Sequence, residues 1–176
     1  MGKLIATTQA TLDGVIDPVA DWVMPEGDHG EYSFEQQDAG AGMVLGRKTY
    51  EGLAGFWPNE TGKWADLSNG QRKWVGSNTL SGDLEWNATL LENPLEDSLP
   101  KVKDEVDGDL YMHGSGEFAH ALAEKGLVDL FEVYVNPLVL GGGNVHVLGD
   151  RSRIDMKLED VKQFDSGVVL LTYLPA

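Results

Sequence analysis

The sequence predicts an α/β sandwich built around a mixed β-sheet. Segments with strand patterns alternate with segments of helical spacing, which is typical of strand–helix units in a sheet. The chain then closes on a hairpin pattern, in which Leu158–Phe164 and Val168–Leu174 flank the turn Asp165-Ser166-Gly167. With 176 residues, 41% of them hydrophobic, residues 1–176 have the size of a single domain with a full core.

Six further segments are predicted strands because they are short and apolar or rich in β-branched residues. They are Lys3–Thr8, Gly42–Gly46, Lys73–Gly76, Ala88–Leu91, Asp109–His113 and Leu130–Val139. The polar stretch Asp17–Gly30 is predicted to be a long loop, and loops of this length within a domain are usually functional. Gly141-Gly142-Gly143 is predicted to be a flexible break or a loop that needs positive φ.

Four helices are predicted from apolar spacing and from residues that begin or end helices. They are Glu31–Asp38, a helix from Arg47 that ends at Trp57-Pro58, a helix that starts near Asp97 or Ser98, and a helix that follows Gly116 and is closed by Gly126. The third start places Pro100 in the first turn, where its missing N–H breaks no helical hydrogen bond.

The charge balance limits the possible partners. The chain has 29 acidic and 13 basic residues, a net charge of −16, and it has no cysteine. An acidic surface repels nucleic acid and anionic lipid, so neither is expected as a partner. The absence of cysteine excludes disulfides, iron–sulfur sites and cysteine nucleophiles, and the four histidines lack metal-ligand spacing. Without a long apolar run or a targeting signal, the protein is expected in the cytoplasm.

Two strand-to-helix turns are candidate phosphate sites. The first is Gly46-Arg47-Lys48-Thr49, where a helix N-terminus coincides with two of the few basic residues and a hydroxyl. The second is Gly114-Ser115-Gly116-Glu117-Phe118-Ala119, which matches the G-x-G-x-x-A pattern of dinucleotide turns but also fits an ordinary tight turn. Ser77-Asn78 follows the third predicted strand, where the adenosine end of a nucleotide could lie.

Eight short motifs carry a resemblance to a known family. They are Thr11–Ile16, Leu45–Glu51, Trp57-Pro58, Lys73–Leu80, Met112–Gly116, Gly126–Asp129, Asn136–Gly141 and Ser166–Val169. In these motifs, which run in order over nearly the whole chain, the sequence resembles the dihydrofolate reductase-like family. It is most similar to stand-alone relatives of the reductase domain of the bifunctional riboflavin-biosynthesis deaminase/reductase. The resemblance implies a three-layer α/β/α fold with a mostly parallel sheet, and an exposed strand edge that supports a homodimer.

The resemblance also implies NADPH as the cofactor, with particular residues along it. Arg47 and Lys48 would face the 2′-phosphate, Thr49 the phosphate oxygens, and Ser77 and Asn78 the adenosine. The helix that starts after Gly46 would receive the cofactor phosphates, and the nicotinamide would approach Val15 and Ile16. The implied pyrophosphate site is the turn of Gly114, Ser115, Gly116, Glu117 and Phe118. The bond between Gly114 and Ser115 is the implied position of a cis peptide.

The expected reaction is hydride transfer from NADPH to a small heterocyclic or carbonyl substrate. The family reaction reduces 5-amino-6-(5-phosphoribosylamino)uracil in riboflavin biosynthesis, whereas the family's zinc deaminase domain is excluded because the chain has no cysteine. A proton donor would assist the transfer, and the candidates are Asp13 near the ring and Asp28 and Glu31 on the substrate side. Each also has a plain structural interpretation, as a turn residue or a solvated acid.

Two other functions stay open on the sequence alone. A module that binds NADP(H) without turnover, acting as a sensor or interaction partner, would share the same cofactor motifs. An acidic structural domain would use the glycine turns only as loops.

Overall fold

Ten strands are present in the computed structural model, which describes residues 2–114, 116–142, 145–147 and 153–176. They are β1 (Leu4–Thr11), β2 (Val15–Asp17), β3 (Gly42–Gly46), β4 (Lys73–Gly76), β5 (Ala88–Leu90), β6 (Leu110–His113), β7 (Leu130–Asn136), β8 (Val145–His146), β9 (Met156–Gln163) and β10 (Val169–Pro175). Eight of them form one sheet in the order β5-β4-β3-β6-β1-β7-β10-β9, and β2 pairs with β8 separately.

The large sheet is mixed as the sequence predicts. The pairs from β5 to β7 are all parallel, whereas β7–β10 and β10–β9 are antiparallel. The hairpin of β9 and β10 thus confirms the predicted antiparallel end of the sheet. Because β9 lies at the edge and is exposed along most of its length, the expected exposed strand edge is present, and homodimerisation stays a prediction.

Among the described residues, five helices cover the two faces of the sheet. They are α1 (Asp28–Asp38), α2 (Arg47–Phe56), α3 (Lys63–Gly70), α4 (Leu95–Glu105) and α5 (Glu117–Glu124). Short 3-10 turns lie at Val19–Asp21 and Trp57–Asn59. Within the described residues, no helix is long and apolar enough to cross a bilayer.

Alternation along the strands separates two cores and produces three layers. Val44 faces the core that includes Leu99 of α4 and Leu122 of α5. Its neighbours Met43 and Leu45 point to the opposite face and pack with residues of α2. A third cluster joins α1 to the β7–β10 part of that same face. The three-layer prediction is therefore confirmed, and each strand of the centre is buried on both sides.

Two predicted boundaries are wrong because proline and glycine occur inside helices. Helix α4 begins at Leu95, so Pro100 lies in the helix interior rather than in its first turn. The acids Glu96 and Asp97 occupy the first turn of α4, where their negative charges interact favourably with the positive end of the helix dipole. Helix α1 begins at Asp28 rather than Glu31, so Gly30 lies inside it. A Cβ at Gly30 would lie 1.7 Å from the Pro25 carbonyl oxygen, so only glycine fits there.

Other differences concern elements without a clear sequence pattern. The sequence does not predict helix α3, and the strand β2 takes up the start of the predicted loop Asp17–Gly30. Strand β1 continues to Thr11, whereas β7 ends at Asn136, before Pro137. A proline cannot donate to a neighbouring strand, so it ends the hydrogen-bonded ladder.

A carboxylic acid is buried on the α1 face of the sheet. Glu132 on β7 is 8% exposed, and burial, followed by the negative charge of Asp109, raises its pKa to about 7. Burial raises the pKa values of Tyr32 and Tyr111, and the negative charge of Glu132 is the second-largest cause for both. At neutral pH this buried carboxyl is therefore only about half ionised.

Replacement of this acid should change how stability depends on pH. The unfolded chain loses the Glu132 proton near pH 4.5 and the folded chain only near pH 7, so stability falls as pH rises through this window. We expect Glu132→Gln to remove roughly 2–3 kcal/mol of that fall, measured by urea unfolding between pH 4.5 and 7.5. The exposed Glu60→Gln is the control. If the free energy of unfolding depended on pH in the same way in Glu132→Gln and in the wild type, the raised pKa of Glu132 would be contradicted.

Candidate nucleotide-binding cleft

A large cleft lies at the carboxyl ends of β3, β4 and β6. Its volume is about 1540 Å³, more than the roughly 300–1,000 Å³ of a typical small-molecule site. The structure brings most of the sequence-predicted cofactor residues to its walls: Ile16, Gly46, Arg47, Lys48, Thr49, Ser77, Asn78, Gly114, Gly116, Glu117 and Phe118. These residues come from four separate parts of the chain, which the sheet order brings together.

Two helices begin at this cleft with glycine in the capping position. Gly46 precedes α2 and Gly116 precedes α5, and neither helix has a side-chain hydrogen bond at its cap. The first N–H groups of both helices therefore have no capping side chain to accept from them. Together with the positive ends of the two helix dipoles, this arrangement favours an anion between them.

The basic residues at the mouth of the cleft are partly balanced by acids. The Arg47 guanidinium lies 3.3 Å from the Glu51 carboxylate, one helical turn away. The Lys48 ammonium lies 3.9 Å from the Glu117 carboxylate, across the gap between α2 and α5. All four side chains are more than two-fifths exposed, so these ion pairs are weak and a bound anion can compete for the cations.

The Phe118 side chain forms the floor of the cleft, where β3 and β4 end. A Cβ added at Gly46 would lie 2.9 Å from Cβ of Phe118, and one added at Gly76 would lie 2.6 Å from its Cζ. Gly46 has φ −77°, which any residue adopts, so lack of space rather than backbone strain selects glycine there. The close approach fixes α5 against β3 and β4.

The glycines in the turn before α5 are not explained by a close contact with Phe118. Gly114 has φ +87°, which favours glycine, whereas Gly116 has φ −82° and open space where a Cβ would be. No atom of the described residues thus explains glycine at position 116. Ser115, with the predicted cis peptide to Gly114, lies outside the described residues.

The Ser77 end of the cleft is held by a local turn. The Ser77 hydroxyl accepts hydrogen bonds from the N–H groups of Thr79 and Leu80, and the Asn93 side-chain amide donates to the Ser77 carbonyl. Lys125, which directly follows α5, closes this end through an ion pair with Glu96 of α4. The sequence did not point to Asn93, Glu96 or Lys125, because only the packing of α4 beside α5 places them here.

His113 contributes an unpaired polar atom to the cleft wall. Its Nε2 is shielded from solvent and has no hydrogen-bond partner among the described residues. Burial lowers the pKa of His113 to about 4, so the ring is neutral at physiological pH. The sequence places His113 on the strand before the glycine turn, but it predicts only packing or hydrogen bonding there.

Val15 and the three candidate proton donors do not line the cleft. Val15 is 1% exposed and packs inside, so of the predicted nicotinamide pair only Ile16 reaches the wall. Asp13 accepts hydrogen bonds from three groups, of which the Thr11 hydroxyl and then the Gly141 N–H contribute most to lowering its pKa to about 2. An ionised Asp13 can accept a proton but has none to donate at neutral pH.

The other two acids lie near the start of α1. Asp28 accepts hydrogen bonds from the N–H groups of Asp165 and Ser166, at 2.6 and 3.3 Å, and so joins α1 to the β9–β10 turn. Glu31 forms an ion pair with Lys63 on the surface. Proton donation by either acid stays a prediction. Within the described residues, no group of three histidine or acidic side chains is arranged to hold a metal ion.

Comparison with solved structures defines the class of fold. A putative riboflavin biosynthesis protein from Shewanella sp. PV-4 superposes with a TM-score of 0.73 at 20% identity, covering 99% of each chain. Dihydrofolate reductase from Enterococcus faecalis, complexed with NADP(H), superposes with a TM-score of 0.62 at 16% identity, covering 99% of this chain and 96% of that one. The protein therefore has the dihydrofolate reductase-like fold.

The family follows from the sequence comparison. The chain belongs to the RibD C-terminal domain family, whose sequence model matches residues 2–170. A curated relative, the uncharacterized protein YyaP of Bacillus subtilis, is 26% identical over 181 residues, covering 97% of this chain and 94% of that protein. The family membership confirms the resemblance on which the sequence-based expectations depend.

The contact between Phe118 and Gly76 can be tested by a double-mutant cycle. Gly76→Ala should destabilise the protein by about 1–3 kcal/mol, because the Phe118 ring is backed by Gly46 and cannot swing away. In a Phe118→Ala background the same change should cost far less, with a coupling above about 1 kcal/mol in chemical unfolding. Additive effects would show that the ring does not select glycine at position 76.

Proposed function

We propose that this protein is an NADPH-dependent reductase that transfers hydride to a small heterocyclic or carbonyl substrate. The observation that carries the proposal is the pair of glycine-capped helix N-termini that meet at one cleft beside Arg47 and Lys48. An anion with two linked phosphates suits two neighbouring helix ends, and a third phosphate suits the two cations. The RibD C-terminal domain family supports a reductase of the riboflavin-biosynthesis type.

The sheet order supports one direction for the cofactor. Its adenosine end would lie at Ser77 and Asn78 after β4, and its pyrophosphate between the turns at Gly46 and Gly116. The nicotinamide would then lie near Ile16, which follows β1. Strands lie about 4.8 Å apart, so β4 and β1 are about 14 Å apart across β3 and β6, a span suited to an extended dinucleotide.

The residues of the cleft fit this group in their chemistry. Gly116 has open space where a Cβ would be, which allows phosphate oxygens to approach the backbone N–H groups. The Thr49 hydroxyl can donate to a phosphate oxygen, and the unpaired Nε2 of His113 is available to a polar group of the ligand. When bound, NADPH supplies the hydride.

The chain's own role in the reaction is to bind, orient and exclude water. Ile16 and Phe118 provide apolar contacts in a cleft whose other groups fix orientation. His113 stays neutral, so it adds no positive charge that would disfavour the oxidised nicotinamide ring. In the family context, a pyrimidine reductase-like protein from Corynebacterium diphtheriae superposes with a TM-score of 0.68 at 12% identity, covering 99% of this chain and 92% of that one. A flat nitrogen heterocycle is accordingly our first choice of substrate.

Arg47→Ala tests the cofactor choice. We expect the dissociation constant for NADPH to rise by roughly 10–100-fold, because a charge-assisted hydrogen bond to the 2′-phosphate is lost, and that for NADH to change less than about threefold. Fluorescence titration of the reduced nicotinamide provides the measurement.

The matched control is Arg153→Ala, which removes an exposed arginine that pairs with Asp155 away from the cleft. It should leave both affinities as they are in the wild type. Binding of NADPH no tighter than about 1 mM, or an equal loss for both nucleotides in Arg47→Ala, would count against the proposal.

A further inference from the structure

The turn between β1 and β2 is bonded to a segment more than a hundred residues away in the chain. Asp13 in this turn accepts hydrogen bonds from the N–H groups of Leu140 and Gly141, at 3.2 and 2.9 Å. These two donors lie after β7, and they use both oxygens of the carboxylate. The Asp13 side chain therefore joins the β1–β2 turn to the segment 138–142.

A second set of contacts connects this carboxylate to β2. The Thr11 hydroxyl donates to Asp13 at 2.6 Å and accepts from the N–H of Val15 at 3.0 Å. Thr11 is 1% exposed, so water is excluded from the Thr11 end of this relay, whereas the Asp13 carboxylate is exposed. Val15 is itself buried and directly precedes Ile16, the residue of β2 that lines the cleft together with Asp17.

Backbone hydrogen bonds also join the β1–β2 turn to residues that follow β7. The Leu12 N–H donates to the Leu138 carbonyl at 2.8 Å, and the Val147 N–H donates to the Gly14 carbonyl at 3.1 Å. Strand β2 also pairs with β8. The position of β2 thus depends on the segment that follows β7. The Asp13 side chain bonds to that segment directly and to β2 through the Thr11 hydroxyl.

We infer that Asp13 is a positioning residue that holds Ile16 against the nicotinamide end of the bound cofactor. The inference rests on the proposed function, since it names what Ile16 contacts. It replaces the expectation that Asp13 donates a proton. A carboxylate can accept from Leu140, Gly141 and Thr11 at once with two oxygens, whereas the amide of asparagine offers one acceptor oxygen and turns N–H groups toward a donor.

The test compares two ligands that differ only at the nicotinamide end. NADPH carries the ring, and 2′-phospho-ADP-ribose has the same adenosine, phosphates and terminal ribose without it. We expect Asp13→Asn to weaken NADPH binding by about 5–20-fold and to leave 2′-phospho-ADP-ribose binding within about twofold, by isothermal titration calorimetry. A role in fold stability alone would not distinguish the two ligands.

Two further variants make the result independent of folding defects. Thr11→Val removes the hydroxyl relay at nearly constant volume and should produce a smaller loss with the same ligand selectivity. Asp109→Asn is the matched control, because Asp109 also accepts a backbone N–H, from Lys3 at 2.8 Å, but at the opposite end of the sheet. It should lower the unfolding temperature without changing either affinity.

The outcomes separate the inference from the proposed function. If the wild type binds both ligands but Asp13→Asn and Thr11→Val weaken both equally or neither, the positioning role is wrong and the cofactor proposal stands. If the wild type binds neither ligand, the proposed function is wrong and the inference fails with it.

Discussion

The close contact of Phe118 with Gly46 and Gly76 is the constraint on which the cleft depends. It brings the first turn of α5 directly over the ends of β3 and β4, closer than any side chain at the two glycine positions would allow. As a result, α5 begins beside α2, and the two uncapped N-termini face one space. One partly buried aromatic ring thereby sets the separation of the two helix ends, which neither helix determines by itself.

The cleft is a local exception to the acidic character of the chain. With a net charge of −16, the molecule repels anions over most of its surface, and the two helix ends with Arg47 and Lys48 offer positive potential where it is needed. The partners Glu51 and Glu117 reduce that potential in the absence of a ligand. Because these pairs are exposed and weak, exchange of a carboxylate for a phosphate costs little.

Several acids of this chain serve as acceptors for backbone N–H groups rather than as surface charges. Asp13, Asp28, Asp109 and Asp129 each accept from a residue distant in sequence, and so they tie turns and strand ends together. This use of carboxylates describes two acids that the sequence offers as proton donors: Asp13 bonds to the segment after β7, and Asp28 bonds to the β9–β10 turn. It also shows why an acid count cannot identify a catalytic group, since the partner that decides its role lies elsewhere in the chain.

The sequence by itself determined the fold class, the hairpin and most of the cleft residues, because these depend on patterns within a few neighbouring residues: the strand before Gly46, the glycine turn at Gly114 and the turn at Asp165. It could not determine the start of α1 or α4, because glycine and proline usually mark helix ends, whereas here Gly30 fits inside α1 against the Pro25 carbonyl and Pro100 is tolerated within a packed helix. The tertiary structure alone decided that His113 and Lys125 join the cleft and that Asp13 bonds to Leu140 and Gly141. Those contacts join residues that are far apart in the chain. The order of the strands in the sheet brings these residues together, and no local sequence pattern predicts that they meet.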